Sequence, residues 1–213
     1  MTEISITLAV EDYLSEIVAR KLLEQIDPAY RISQCLCKGG QGYLKSRIHS
    51  FNQAAEFIPF FVLTDQDRGC PPMKISNWLT QKISKYFLFR IAVMEIESWV
   101  MADREGFAKF ISISIDHIPQ RTDDLEDPKR YLLSLVSRSR SGRLRADIIP
   151  SRGSTATVGP DYNNRLSQFI QNHWNVFEAQ KNSESLRRAV LRIKEFKNRF
   201  TGIRKPAGAQ TQP

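Results

Sequence analysis

Ile58-Pro-Phe-Phe-Val-Leu-Thr-Asp-Gln-Asp-Arg-Gly69 is the stretch whose reading decides how this chain folds. An apolar run, Phe60 to Leu63, is bounded by turn-forming residues, the pattern of a short buried strand. Asp65 and Asp67 follow just past its end, at i and i+2. Two carboxylates so placed suit a hard divalent cation such as Mg²⁺, which takes oxygen ligands and keeps several waters. Asp and Gly also make ordinary turns, so the neighbouring segments decide between a site and a turn.

Working outward, Ile4, Ile6, Leu8 and Val10 alternate with smaller residues and predict a first strand, which ends at Glu11-Asp12. A helical pattern from Tyr13 to Ile26 follows, and Asp27-Pro28 stops it. Glu11 therefore stands at a strand's carboxyl end, where open α/β sheets place their ligands. Asp12 reads as an acid favoured by the helix dipole. Residues 31–37 predict a second strand. Lys38-Gly-Gly-Gln-Gly42 then makes a tight loop into a helix. Amides at such a helix start attract anions, which makes Lys38 a candidate phosphate ligand, although the spacing matches neither the Walker nor the dinucleotide pattern.

Beyond the Asp-x-Asp, Pro71-Pro72 is expected to break the chain, a helix is expected over 75–85, and a fourth strand over 87–94. Glu95 and Glu97 come next and, read as a strand continuation, share a side; Asp103 follows, before a helix from Arg104 through Ile111. Acids thus stand after three predicted strands, which argues for a metal site at the carboxyl edge of a sheet. Residues 112–127 read as an acidic surface loop, and Pro128 opens another helix. Residues 138–163, with Arg138, Arg140, Arg143 and Arg145, read as a mobile basic segment. Two amphipathic helices follow, one opening at Tyr162-Asn-Asn and carrying Leu166, Phe169, Ile170 and Trp174, the other beginning near Ser183. Residues 201–213 read as a disordered tail.

The net charge of +8 over 213 residues is unevenly placed. Residues 1–137 carry 16 basic and 18 acidic side chains, net −2, whereas residues 138–213 carry 15 and 5, net +10. A basic C-terminal third beside an acidic site suits a polyanion, with nucleic acid the expected partner and a protein partner the alternative. Three cysteines without a metal-binding spacing read as free thiols. No apolar run is long enough for a membrane span, and a cytoplasmic protein is expected.

Val10-Glu11 after one strand and Val62-Leu-Thr-Asp65-Gln-Asp67 after another resemble the TOPRIM domains of topoisomerases, primases and OLD-family nucleases. The chain is more closely similar to a family of small TOPRIM-like bacterial proteins associated with anti-phage defence, some of which neighbour an ATPase. That resemblance extends over residues 4–200. It rests on Lys38-Gly-Gly-Gln-Gly42, on Glu95-Ile-Glu-Ser-Trp-Val-Met-Ala-Asp103, and on Tyr162-Asn-Asn-Arg-Leu-Ser-Gln-Phe169 with Ser183-x-Ser185-Leu-Arg-Arg-Ala189. Asp12 stands where many TOPRIM chains have Gly.

The resemblance implies an α/β fold: a Rossmann-like TOPRIM core over 1–137, flanked by helices, with a basic helical extension over 138–200. It also implies a metal-dependent nuclease acting in phage defence or DNA repair. Glu11, Asp65, Asp67 and Glu97 would be catalytic. Two Mg²⁺ or Mn²⁺ ions would be held by Glu11, Asp65, Asp67, Glu95, Glu97 and Asp103. Lys38, Arg138, Arg140, Arg143 and Arg145 would bind phosphate or nucleic acid, DNA in preference to RNA. The alternative is a non-catalytic nucleic-acid-binding or regulatory subunit of an ATPase-containing defence complex.

Overall fold

A computed structural model describes residues 3–66 and 70–200, the side chains of Arg199 and Phe200 excepted. Asp67 and the tail over 201–213 lie outside the described residues. In chain order the elements are β1 (Ile4–Val10), α1 (Tyr13–Ile26), β2 (Tyr30–Cys37), α2 (Gly40–Ala54), β3 (Phe60–Asp65), α3 (Pro71–Trp78), β4 (Phe87–Ala92), α4 (Ile96–Ala102) and α5 (Arg104–Ile111). After two 3-10 turns come α6 (Pro128–Ser137), α7 (Gly142–Ile148), α8 (Tyr162–Asn172), α9 (Val176–Ala179) and α10 (Glu184–Phe200).

The four strands form one parallel sheet in the order β2-β1-β3-β4. Helices cover both faces, so the central strands are apolar almost throughout, as buried parallel strands require. Ile4, Ile6, Leu8 and Val10 face the larger core with α1, α4, α8 and α10; Ala9, Val62, Phe87 and Phe89 face a smaller one with α2 and α3. The chain leaves β1 through α1 toward β2, and leaves β3 through α3 toward β4 on the other side. The point between β1 and β3 is therefore the topological switch point of the sheet, the place where α/β folds open a ligand crevice beyond the strand ends.

Several expectations need correction. The helix expected over 75–85 is α3, Pro71–Trp78. The two prolines start it rather than break the chain, because the first helical positions need no N–H and proline's φ is already helical. Beyond its end the chain is tied to α2. The buried Asn52 of α2 accepts from Ser84 N (2.8 Å) and donates to Lys82 O (2.9 Å), which holds that segment out of a helix. Ile83, within the span expected to be helical, is exposed.

β4 ends at Ala92, and Glu97 lies in a helix rather than on a strand continuation. Ser98 turns the chain there: its Oγ donates to Val93 O (2.6 Å) and its N to Glu95 O (3.0 Å). The segment expected to be a mobile basic loop contains α7, capped by Ser141, whose Oγ accepts from Leu144 N at 3.2 Å. Trp174 lies past the end of α8 and donates its indole N–H to Trp99 O at 3.1 Å. Helix α9 carries no signal that periodicity could single out. No described helix is long and apolar enough to cross a membrane.

Candidate active site

Four acids from three chain segments face one another beyond the carboxyl edge of the sheet. Glu11 follows β1, and its Oε1 accepts from Asp65 N at 2.9 Å and from the Thr64 hydroxyl. Glu11 thus ties the ends of β1 and β3 together across the switch point. Asp12 is the N-cap of α1, its Oδ1 accepting from Ser15 N at 2.8 Å, as the helix-dipole reading anticipated.

Asp65 is the last residue of β3. As a residue it is half-buried, yet its Oδ1 is sealed from solvent and has no hydrogen-bond donor among the described residues. Burial pushes its pKa well above the usual carboxylate range, and the charges of Glu11, Glu97, Asp12 and Glu95 push it further. The buried Lys74 of α3 donates to Gln66 O (3.0 Å) and to Asp65 O, and so fixes the backbone that leaves β3.

Glu97 sits in the first turn of α4 and is 2% exposed. Its Oε1 accepts from the Tyr162 hydroxyl at 2.9 Å, while its Oε2 is sealed and has no donor among the described residues. Burial raises its pKa; Lys129 and the Tyr162 hydroxyl oppose that rise, and Glu95 adds to it. The same burial, with the charge of Glu97, pushes the Tyr162 phenol far up, so Tyr162 remains a donor.

Glu95 occupies the N-cap position of α4 but spends its carboxylate on α6. Its Oε2 accepts from Lys129 N at 2.8 Å, and its Oε1 lies 3.7 Å from Lys129 Nζ. Lys129 Nζ also lies 3.5 Å from Glu97 Oε1. Burial would lower the lysine's pKa; Glu97, Glu95, Asp65 and Asp12 outweigh it and hold the ammonium above its ordinary value.

The remaining expected residues stand elsewhere. Asp103 is buried and fully used as a brace: its Oδ1 accepts from Gly106 N (3.2 Å), capping α5, and its Oδ2 from Asn175 N (2.8 Å). It is not brought to the acid cluster. Lys38 is exposed just past β2, before Gly39 and Gly40, whose φ values of 68° and 64° demand glycine and open the start of α2 on the same sheet edge. Arg138, Arg140, Arg143 and Arg145 lie at the far end of α6 and along α7, with Arg145 donating to Ser139 O and Arg138 beside His117. Ten residues of helix separate Arg138 from the acids, about 15 Å.

Lys129 and Tyr162 are the site residues that the sequence reading missed. A faint signal existed for the first. Asp127-Pro128 marks a helix start, and a lysine in a first turn opposes the helix dipole unless an acid meets it.

Among the described residues, no three His, Cys, Asp or Glu side chains already close on a common point. The donor set at the switch point nevertheless fits a hard divalent cation: Glu11 and Asp65 offer only oxygen, and one sealed Asp65 oxygen has no donor among the described residues. Of the residues expected to hold a second ion, Glu97 and Glu95 meet the Lys129 ammonium instead, and Asp103 stands elsewhere. Comparisons with protein families, with characterised proteins and with solved structures find no match for this chain.

Proposed function

We propose that this chain is a divalent-metal-dependent phosphodiester hydrolase of the TOPRIM type, acting on nucleic acid. The observation that carries the reading is the sealed Oδ1 of Asp65 at the switch point, without a donor among the described residues and held in the field of Glu11, Glu97, Asp12 and Glu95. Folding such a cluster costs stability unless something positive completes it.

Glu11 and Asp65 would hold Mg²⁺ or Mn²⁺, with Asp67 as a further ligand. Bound there, the ion would supply Lewis-acid polarisation of a phosphoryl oxygen and a water of lowered pKa. Lys129, already charged and already beside Glu97, would supply a second positive charge in place of the second ion expected from the sequence. Tyr162 and the backbone N–H of Lys129 orient Glu97 and Glu95 respectively. Lys38 and the amides at the start of α2 offer a landing for a neighbouring phosphate. The arginines of α6 and α7 would meet the strand a few nucleotides away. An ATPase partner and a role in phage defence or DNA repair rest on the sequence resemblance.

A second reading has its own observation. Lys129 neutralises Glu95 and Glu97 without any ion, as a non-catalytic binding or regulatory subunit would need. The deciding experiment incubates the purified chain with labelled single- and double-stranded DNA and RNA in Mg²⁺, Mn²⁺ or EDTA, beside an Asp65→Ala/Asp67→Ala control. Metal-dependent cleavage by the unsubstituted chain alone supports the hydrolase. Absence of cleavage together with absence of Mn²⁺ binding by calorimetry refutes it. Metal binding without cleavage favours the regulatory subunit.

A further inference from the structure

The sheet has an open edge at β4, which pairs only with β3 among the described residues. Phe60 N donates to Tyr86 O and Gln66 N to Ala92 O, both at 2.9 Å, so the even-numbered backbone groups of β4 face β3. The amides of Phe89 and Ile91 therefore point outward, away from the sheet. Two adjoining cavities of about 660 and 310 Å³ run along this edge and share Ile75, Arg90, Arg192 and Glu195. One wall is apolar, built from Pro71, Pro72 and Ile75 of α3. The other is α10, which presents Arg188 and Arg192 together with Glu184 and Glu195, with Asp123 beside them.

Arg90 lies between them. By strand alternation it shares the α10 side of β4 with Leu88, while Phe87, Phe89 and Ile91 face α3. Its Nε donates to Phe89 O at 2.5 Å, and no carboxylate among the described residues reaches it within ion-pair distance. Arg188 and Arg192 are satisfied on their own helix by Glu184 (2.8 Å) and Glu195 (2.9 Å). Burial, then the charge of Arg192, lowers the pKa of Arg90 to about 10, with Glu195 a partial offset. A half-buried cation with no ion-pair partner among the described residues thus stands beside outward-pointing strand amides.

We propose that this edge receives an extended segment of a partner protein as a fifth strand, with a carboxylate on Arg90 and apolar side chains at alternate positions against the α3 wall. Strand addition supplies affinity through the backbone ladder, and the two unlike walls supply specificity through side-chain alternation. Charge selects the occupant. A second copy's β4, Phe87–Ala92, has no acid and would bring another Arg90 to the groove. Residues 201–213 of this chain likewise contain no Asp or Glu. The groove uses no residue of the acid cluster, so the inference stands independently of the hydrolase reading.

The test is fluorescence anisotropy of the full chain with a fluorescein-labelled peptide of alternating valine and glutamate, seven residues long. The comparison peptides carry lysine for glutamate, or proline for the central valine, which removes a ladder donor. The expected result is saturable binding of the glutamate peptide. Binding should weaken about tenfold or more in Arg90→Gln, as loss of a charge-assisted hydrogen bond implies, and comparably with the proline peptide. Slowed hydrogen exchange at the Phe89 and Ile91 amides of the unsubstituted protein gives a readout that needs no variant to fold. Absence of saturable binding, equal affinity for the lysine peptide, or an unchanged affinity in Arg90→Gln overturns the proposal. So does displacement of the peptide by an oligothymidine whose own binding depends on Arg90, since the groove would then belong to nucleic acid.

Discussion

Replacing Lys129 by methionine tests the electrostatic account of the acid cluster. Methionine keeps most of the stem's packing and removes the ammonium, leaving Glu97 and Glu95 without their cation. At an effective dielectric of about 20, contacts of 3.5 and 3.7 Å are each worth roughly 4–5 kcal/mol of gross attraction. Desolvation consumes much of that, and the Lys129 side chain is 37% exposed, so solvent screens part of the remainder. A net loss of about 2–4 kcal/mol is left, which lowers Tm by roughly 5–12 °C for a chain of this size.

The pH dependence carries the sharper test. Burial already raises the pKa of Glu97, and Lys129 is the first cause opposing it. Lys129→Met therefore makes folded Glu97 bind its proton more tightly. A carboxyl with a raised folded pKa loses stability for the protein as pH climbs above the unfolded value of about 4.3. The deficit relative to the unsubstituted chain should be small near pH 4 and should widen toward pH 7.5, measured by thermal melts in EDTA. Lys129→Met/Glu97→Gln should recover most of it. A deficit below about 0.5 kcal/mol at pH 7.5, or one that does not change with pH, would refute the reasoning, because an exposed, solvated lysine behaves that way.

Three further outcomes follow from the same geometry. Asp65→Asn removes a carboxylate whose folded pKa is raised, so it should be more stable than the unsubstituted chain at pH 7.5, with the difference vanishing as pH falls to about 4; urea melts at both pH values check this, and the same variant should lose any metal-dependent cleavage. Tyr162→Phe withdraws the donor to Glu97 Oε1 and should cost about 1–3 kcal/mol by the same melts, the penalty for a buried acceptor left unpaired. Asp103→Ala should lower stability by about 1–3 kcal/mol through lost bonds to Gly106 N and Asn175 N, while Mn²⁺ affinity measured by calorimetry stays unchanged; a weakened affinity would return Asp103 to the metal site.

The parts of this fold legible in the sequence are those governed by local periodicity. The strand residues Ile4–Val10 and Phe60–Leu63, and the switch-point acids Glu11 and Asp65, follow from apolar runs that end in carboxylates. What local pattern does not carry is compensation between distant segments. Asn52 ties residues 82–84 to α2 from across a gap of 30 residues, and no propensity of residues 79–85 records it. Strand alternation assigns Glu97 a side in common with Glu95, whereas it reaches the acid cluster from the first turn of a helix that Ser98 initiates. Lys129 and Tyr162 come from helices whose apolar stripes are ordinary, and each meets the acids only after α6 and α8 pack on the body. The asymmetry has a physical origin. Burying an apolar residue needs only a face, which a short window reveals. Burying a charge needs a specific partner, and that partner can come from anywhere in the chain. Asp65 Oδ1 and Glu97 Oε2, without a donor among the described residues, persist beside a lysine that satisfies only part of the cluster. That residual imbalance, rather than the count of acids, is what the proposed metal site at the carboxyl edge of this sheet rests on.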